Sequence, residues 1–370
     1  MSTSRPFFLV RLQQNIMICC LIKLLKLSWY RCVYAKPNPE IAKHAVSMAK
    51  AFGDKKSIAS SLWCLGITYN YLGEYHAAYD PLKEAYQLYN ALLPSHKWYD
   101  LGKGFLRKKN GPRAFTRNSS KHDLHRLCCQ CGIDMVEMAR IFEDGDKVVF
   151  MARDVEKQAA TVLDDYIHAR SMMMLGLVLD KFGDRQEALC HLERAKQMKI
   201  ANDTLVDVYY LIAIVHYHEK RLPEALDAAE EAWKLFGSDN NLVAQARNSF
   251  LLGTILFSAN RDTEAWKYIE ISLTNYLELG NRHESAFTLE YMGYGYLRRG
   301  DYLNAYGAYE AAAESYLGTV DEHLDGTRCK DNMAKIKDMQ KNPDLNVGFD
   351  RPRDDINCPS LFYPGAAASV

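Results

Sequence analysis

Apolar residues along this chain recur at helical spacing, in paired segments divided by short polar turns. Ile41, Ala45, Met48 and Ala51 share one face of a helix that starts after Pro37, stops at Gly53 and hands over to Asp54 as the next capping residue. Met135, Met138, Ile141 and Phe142, followed by Val149, Ala152 and Ala159, predict a second such pair. The same glycine-plus-cap punctuation returns at Phe236-Gly237-Ser238 and at Leu279-Gly280-Asn281.

A rule of small residues overlies this periodicity. A Gly or Ala, followed twelve residues later by Ala and seven further on by another small residue, occurs five times. The sets are Gly66/Ala78/Ala85, Gly176/Ala188/Ala195, Ala213/Ala225/Ala232, Gly253/Ala265/Ser272 and Gly293/Ala305/Ala312, and the last four begin 37, 40 and 40 residues apart. Antiparallel helices about 8 to 10 Å apart need small side chains where they cross. Twelve residues cover a helix end, a turn and the first turn of the next helix. Two amphipathic helices per period of this length predict an all-α helical solenoid, a right-handed superhelix of about six helix pairs.

Two of these units carry more of a pattern: Leu65-Gly66, Tyr69, Gly73-Glu74-Tyr75, Ala78, Leu82 and Ala85, and Met292-Gly293, Tyr296, Gly300-Asp301-Tyr302, Ala305, Tyr309 and Ala312. With them the chain resembles the tetratricopeptide repeat (TPR) family. Leu62, Met172, Tyr209, Ser249 and Leu289 stand where that family carries Trp. The 40-residue spacing is similar to the TPR arrays of MalT-like regulators and of signalling (STAND-type) NTPases. The resemblance implies a non-catalytic scaffold that binds a protein or peptide in a concave groove lined by the first helix of each repeat. Carried over position by position, the groove residues are Trp63 in the first unit, Met173 in the next, Tyr210 with Tyr217, Phe250 with Phe257, and Glu290 with Tyr294. They are mostly aromatic or aliphatic. The family's clamp for a C-terminal carboxylate uses Lys, Asn and Arg there, so the resemblance points to an apolar or aromatic-anchored segment. It also leaves open a sensor portion of a signalling NTPase whose motor lies elsewhere.

Forty-six basic and 46 acidic residues cancel, which removes any global field toward nucleic acid or an anionic membrane. Ten cysteines scattered over 370 residues are unlike a small secreted disulfide scaffold, and reduced thiols in the cytoplasm are expected. Residues 1–39 hold six basic residues and no acidic one, and their longest uncharged apolar run, Ile16 to Ile22, is far below the roughly 20 residues a membrane span needs. They are expected to form a basic helical segment. Residues 40–93 then hold the first repeat helices, 94–123 a basic loop insert rich in Gly and Pro, 124–341 the main solenoid with a polar capping helix, and 342–370 a flexible tail with Pro343, Pro352, Pro359 and Pro364.

Chemistry is sparse. His122, His125 and Cys129 share a helical face beside Cys128 and Cys131, a zinc-like set without the second ligand segment that a structural site needs. A metal-binding protein built on His122 to Cys131 is therefore the lesser alternative, and buried thiols packing as small hydrophobes are expected. Gly102-Lys103-Gly104 lacks the spacing of a P-loop, and Gly293 and Gly300 are accounted for by the repeat. No catalytic residue, metal, cofactor, small-molecule substrate, nucleic acid or membrane contact is expected.

Overall fold

Fourteen α-helices and one short π-turn make up the described part of the computed structural model, which covers residues 38–93, 113–235, 242–317, 322–342 and 348–352. The helices are α1 (Pro39–Phe52), α2 (Lys55–Tyr71), α3 (Tyr75–Leu92), α4 (Arg113–Phe142), α5 (Gly145–Ala159), α6 (Asp165–Phe182) and α7 (Arg185–Lys196). There follow α8 (Asn202–His218), α9 (Leu222–Leu235), α10 (Leu242–Ser258), α11 (Asp262–Leu279), α12 (Arg282–Arg298), α13 (Tyr302–Tyr316) and α14 (Thr327–Lys341). The chain divides into two compact units, the main division falling between Thr204 and Leu205 and the short stretch Tyr71–Glu74 being grouped with the second unit. The shortest of the described helices, α7, lies just before that point.

Each unit is a stack of antiparallel pairs. Sequence neighbours pack on one another, and a first helix also packs on the first helix of the next pair, α4 on α6 in one unit and α10 on α12 in the other. The pattern is that of a TPR-like helical solenoid.

What closes each pair is a small residue on its first helix. Gly66, Gly176, Gly253 and Gly293 on first helices face Leu82, Leu192, Ile269 and Tyr309 on second helices, and a Cβ added at each glycine would lie 2.5, 2.9, 2.6 and 3.0 Å from those side chains. Where Ala213 replaces the glycine, the bulky position holds Ala229, and both are buried. The crossing is thus made in two ways, a bulky side chain over glycine or a smaller pair of alanines. All the small residues of the twelve-and-seven rule on second helices are fully buried.

The turns follow from local chemistry. Asp144, Asp164 and Asp184 accept backbone N–H groups at the starts of α5, α6 and α7, as Asn281 and Asp301 do for α12 and α13. Gly53 and Gly280 end α1 and α11 in the left-handed conformation, and Asp54 accepts the Ser57 N–H. The matching signal at Phe236-Gly237-Ser238 lies outside the described residues, as do residues 1–37. Lys220 and Asn260 take positive φ (62° and 59°) at the turn position that Gly300 holds at 72°.

Two helix faces and one boundary differ from expectation. On α1 the buried line is Ala42, Ala45, Val46 and Ala49, while Ile41 is 44% exposed and Ala51 is exposed. The alanine stripe faces the neighbour because a close crossing selects small residues over bulky ones. On α5 the buried line is Val148, Ala152, Val155 and Ala159, with Val149 half-buried. Helix α4 begins at Arg113, so 113–123 is helical where a loop insert was expected. The breakers Gly102, Gly104, Gly111 and Pro112 all precede it. Among the described residues, no helix is long and apolar enough to cross a membrane.

Gly253→Leu is expected to cost about 1 to 3 kcal/mol in urea unfolding, and Ile269→Ala in the same chain to recover part of the loss. Gly307→Ala on α13, where an added Cβ meets nothing within 4 Å, is expected to gain about 0.5 to 1 kcal/mol.

Candidate functional site

The expected groove residues fall on first helices: Trp63 on α2, Met173 on α6, Tyr210 and Tyr217 on α8, Phe250 and Phe257 on α10, Glu290 and Tyr294 on α12. Seven of the eight are buried, and Tyr294 is half-buried. Their partners explain the burial. Trp63, Tyr210, Tyr217, Phe250 and Glu290 meet residues on the next first helix of their own unit, so within each unit the line they form stitches first helices together.

In the first unit the stitch is ionic. Trp63 Nε1 donates to Asp134 Oδ2 at 2.7 Å, and Arg170 Nη2 donates to Asp134 Oδ1 at 3.2 Å. One carboxylate thereby joins α2, α4 and α6, with both charged side chains 2% exposed. Burial raises the Asp134 pKa, and Arg170 and the Trp63 N–H work against that shift. Met173 packs fully buried on α6.

In the second unit the links are aromatic and charged. The Arg247 guanidinium lies 4.4 Å from the Tyr210 ring centroid and donates to Asp207. The Tyr217 hydroxyl lies 3.1 Å from Ser258 Oγ. Phe250 meets Phe287 and Tyr291 with centroids 5.3 and 4.9 Å apart, and Phe257 meets Trp266 edge-on at 5.8 Å. Arg298 Nη1 donates to the Phe257 carbonyl at 2.6 Å.

Glu290 is engaged by the end of the array. Arg328 on α14 donates from Nε and Nη2 to its two carboxylate oxygens at 2.5 and 2.8 Å, and the Tyr316 hydroxyl adds a bond at 3.1 Å. Arg328 also pairs with Asp325 at 2.8 Å. Two buried carboxylates share one guanidinium; burial works to lower the Arg328 pKa, and the pairs with Glu290 and Asp325 outweigh it and raise it. The helix expected as a polar cap is thus bolted on by a fork-shaped ion pair.

Tyr294 has a different neighbour. Arg351, from the segment expected to be flexible, lies 6.0 Å from its ring centroid. In the same segment Pro352 is buried, and Asp350 exchanges two backbone bonds of 2.9 Å with the Asn332 side chain. The Asn332 amide, Lys335 and the rings of Tyr302 and Tyr294, and no apolar run, seat residues 348–352, so hydrophobic patterning gives no sign of it.

The cysteine-histidine set takes the apolar role. His122 Nε2 donates to the Val162 carbonyl at 2.6 Å, and Cys131 Sγ donates to the Leu82 carbonyl at 3.6 Å. Cys129 packs with Ala159, Val162 and Ile167. Burial pushes the Cys128 thiol up to about 12 and raises Cys129 and Cys131 as well, so the thiols are neutral at pH 7. Among the described residues, no group of three or more His, Cys, Asp or Glu is placed to hold a metal ion.

Asp134, Arg170, Arg247, Arg328 and Asn332 escaped the sequence reading. One signal was present: Asp134 and Arg170 stand 36 residues apart, Asp207 and Arg247 40 apart, opposite charges one repeat from each other.

Comparison with known proteins agrees at the level of fold. No protein-family model matches the chain, and no curated protein matches it. Among solved structures the chain is similar to yeast Tom70, with a TM-score of 0.50 and 14% identity over 83% of this chain and 61% of that one. Weaker likenesses are to a Rap conjugation gene regulator of the plasmid pLS20 in complex with a Phr peptide (TM-score 0.45, 14% identity, 81% of this chain and 80% of that one) and to a STAND protein with a tetratricopeptide repeat sensor from Pyrococcus horikoshii (TM-score 0.45, 10% identity, 88% and 55%).

Asp134→Ala is expected to cost about 3 to 5 kcal/mol in urea unfolding, since it leaves Arg170 buried without its carboxylate; Asp134→Asn, which keeps an acceptor for Trp63, is expected to cost less. Burial lowers the His125 pKa from about 6.5 to about 4. As pH falls through that window only the unfolded chain takes up the proton, so stability present above about pH 6.5 drains away toward pH 4. The wild-type chain is expected to lose about 2 kcal/mol more over that range than His125→Leu, compared by urea midpoints at both ends.

Proposed function

We propose that this protein is a non-catalytic interaction scaffold whose first-helix face holds a segment of a partner protein. The observation that carries the reading is Tyr294, half-buried where the other seven expected groove residues are buried, with the exposed Arg351 6.0 Å from its ring centroid. Repeat stacks present extended surfaces of this kind, and aromatic side chains anchor bound segments well because they bury much area at little entropic cost. In this reading Trp63 and Met173 belong to the floor of the first unit, and Tyr210, Tyr217, Phe250, Phe257 and Glu290 build the floor of the second, where the proposed contact lies. Tyr294 makes the contact. The partner is a peptide or protein segment with an apolar or aromatic anchor. A reduced, cytoplasmic setting is proposed on the buried thiols of Cys128, Cys129, Cys131 and Cys329, none of them in a disulfide.

The test is site-directed photo-cross-linking in full-length protein. A benzoylphenylalanine at position 294 is expected to form a protein adduct in native lysate that is absent when the same group replaces Lys267, exposed on the second helix α11. No adduct at 294, or equal adducts at both positions, would overturn the reading.

A further inference from the structure

Helix α14 stands in the array as one more first helix. Arg328 reaches Glu290 across 38 residues, close to the 40 that separate Asp207 from Arg247 and the 41 that separate Phe257 from Arg298. Asn332 follows Arg328 by four residues, as Tyr294 follows Glu290, which places Asn332 at the register position of a groove residue. What lies on Asn332 is a length of polypeptide.

The contact has the form of recognition. Asn332 is fully buried, and its amide donates to the Asp350 carbonyl and accepts from the Asp350 N–H, each at 2.9 Å. A side-chain amide paired in this two-way fashion grips backbone as a neighbouring strand would, whatever side chain that backbone carries. Side-chain preferences are added around it. Lys335 Nζ donates to the Asp350 carboxylate at 2.7 Å, Phe349 stacks on Tyr302 with centroids 6.5 Å apart, Arg351 lies over Tyr294, and Pro352 is buried.

The hold is also light. Gly348, Asp350 and Arg351 are exposed, and the Lys335 pair is half in water, where such pairs contribute little.

We propose that the notch formed by Tyr294, Tyr302, Asn332 and Lys335 is a binding site for an extended peptide carrying an aromatic residue, an acidic residue, a basic residue and proline in that order, and that Gly348–Pro352 occupies it as a displaceable internal ligand. It rests on the groove reading in placing the site at the end of that face, and it names the chemistry of the segment bound there. A partner segment with this pattern must compete with a copy already tethered, so the tail sets the threshold for binding.

The experiment uses the full chain, a full-chain variant carrying Phe349→Ser and Asp350→Pro, and a fluorescent peptide copying residues 345–355. Asp350→Pro removes the N–H that Asn332 accepts. The peptide is expected to bind the variant at least tenfold tighter than the native chain by anisotropy, and Asn332→Ala in the variant to reverse at least tenfold of that gain. Circular dichroism melts establish that each chain is folded. In the native chain, excess peptide is expected to speed hydrogen exchange at the Asp350 amide. Equal affinity for both chains, no binding to the variant, or binding indifferent to Asn332→Ala would overturn the site. Unchanged exchange at Asp350 would overturn its displaceable occupant. Asn332 and Lys335 lie outside α12, so failure here with a persisting Tyr294 cross-link separates this inference from the groove reading.

Discussion

The close approach of paired helices at a glycine is the constraint from which the rest of this structure follows. At Gly253 an added Cβ would meet the Ile269 side chain at 2.6 Å and the Ala265 carbonyl at 3.2 Å, so side chain and backbone together fix the crossing. Because each repeat touches only its neighbours, one crossing distance sets the seat of the next pair. The exchange of Gly with Leu, Ile or Tyr opposite for Ala213 with Ala229 opposite shows that the first-helix member stays small while the residue opposite varies in size.

Once the pairs are closed, their first helices still have to be held in register along the stack. The two units solve this differently. Asp134 ties Trp63 and Arg170 together through one buried carboxylate, whereas Phe250, Phe287 and Tyr291 lock by ring geometry. A buried ion pair adds little net stability over apolar residues of the same size, yet it is expensive to break. A slid register leaves both charges stranded, and that penalty is what opposes sliding. Rings interlock by shape and pay no such penalty, and the second unit uses them beside its own ion pairs, Arg247 with Asp207 and Arg328 with Glu290.

How far the sequence disclosed this depends on whether a feature repeats. The small residues at Gly253, Ala265 and Ser272 were legible because a steric requirement recurs every period and admits few residue types. The left-handed turn was legible at Gly300 and hidden at Lys220 and Asn260, since nothing in a lysine announces a positive φ. On α1 the apolar spacing is compatible with two neighbouring faces, and the buried one is Ala42, Ala45, Val46 and Ala49, where the small residues lie closest together. Asp134 was passed over for a different reason: its two partners come from helices 71 and 36 residues away, and a pairing of that kind leaves no period within its own helix. At the candidate site, the register that placed Tyr294 on a first helix could not tell a half-buried ring from a buried one. Burial of Tyr210 and Phe250 is decided by their neighbours one repeat on.

The same logic explains the end of the array. A buried carboxylate such as Glu290 needs a partner one repeat further, and no full repeat follows among the described residues. Helix α14 supplies Arg328 instead, and with Cys329, Asn332 and Ile336 buried it presents a first-helix face backed by α13. A polar amide on that face has its own need for partners. In the interior of the stack the corresponding line is closed by rings and charges from the next pair; at α14 it is closed by the backbone of Asp350. The end of a solenoid is therefore the place where a face built for stacking becomes a face able to bind. An amide satisfied by backbone alone accepts any chain that arrives extended, its own or another.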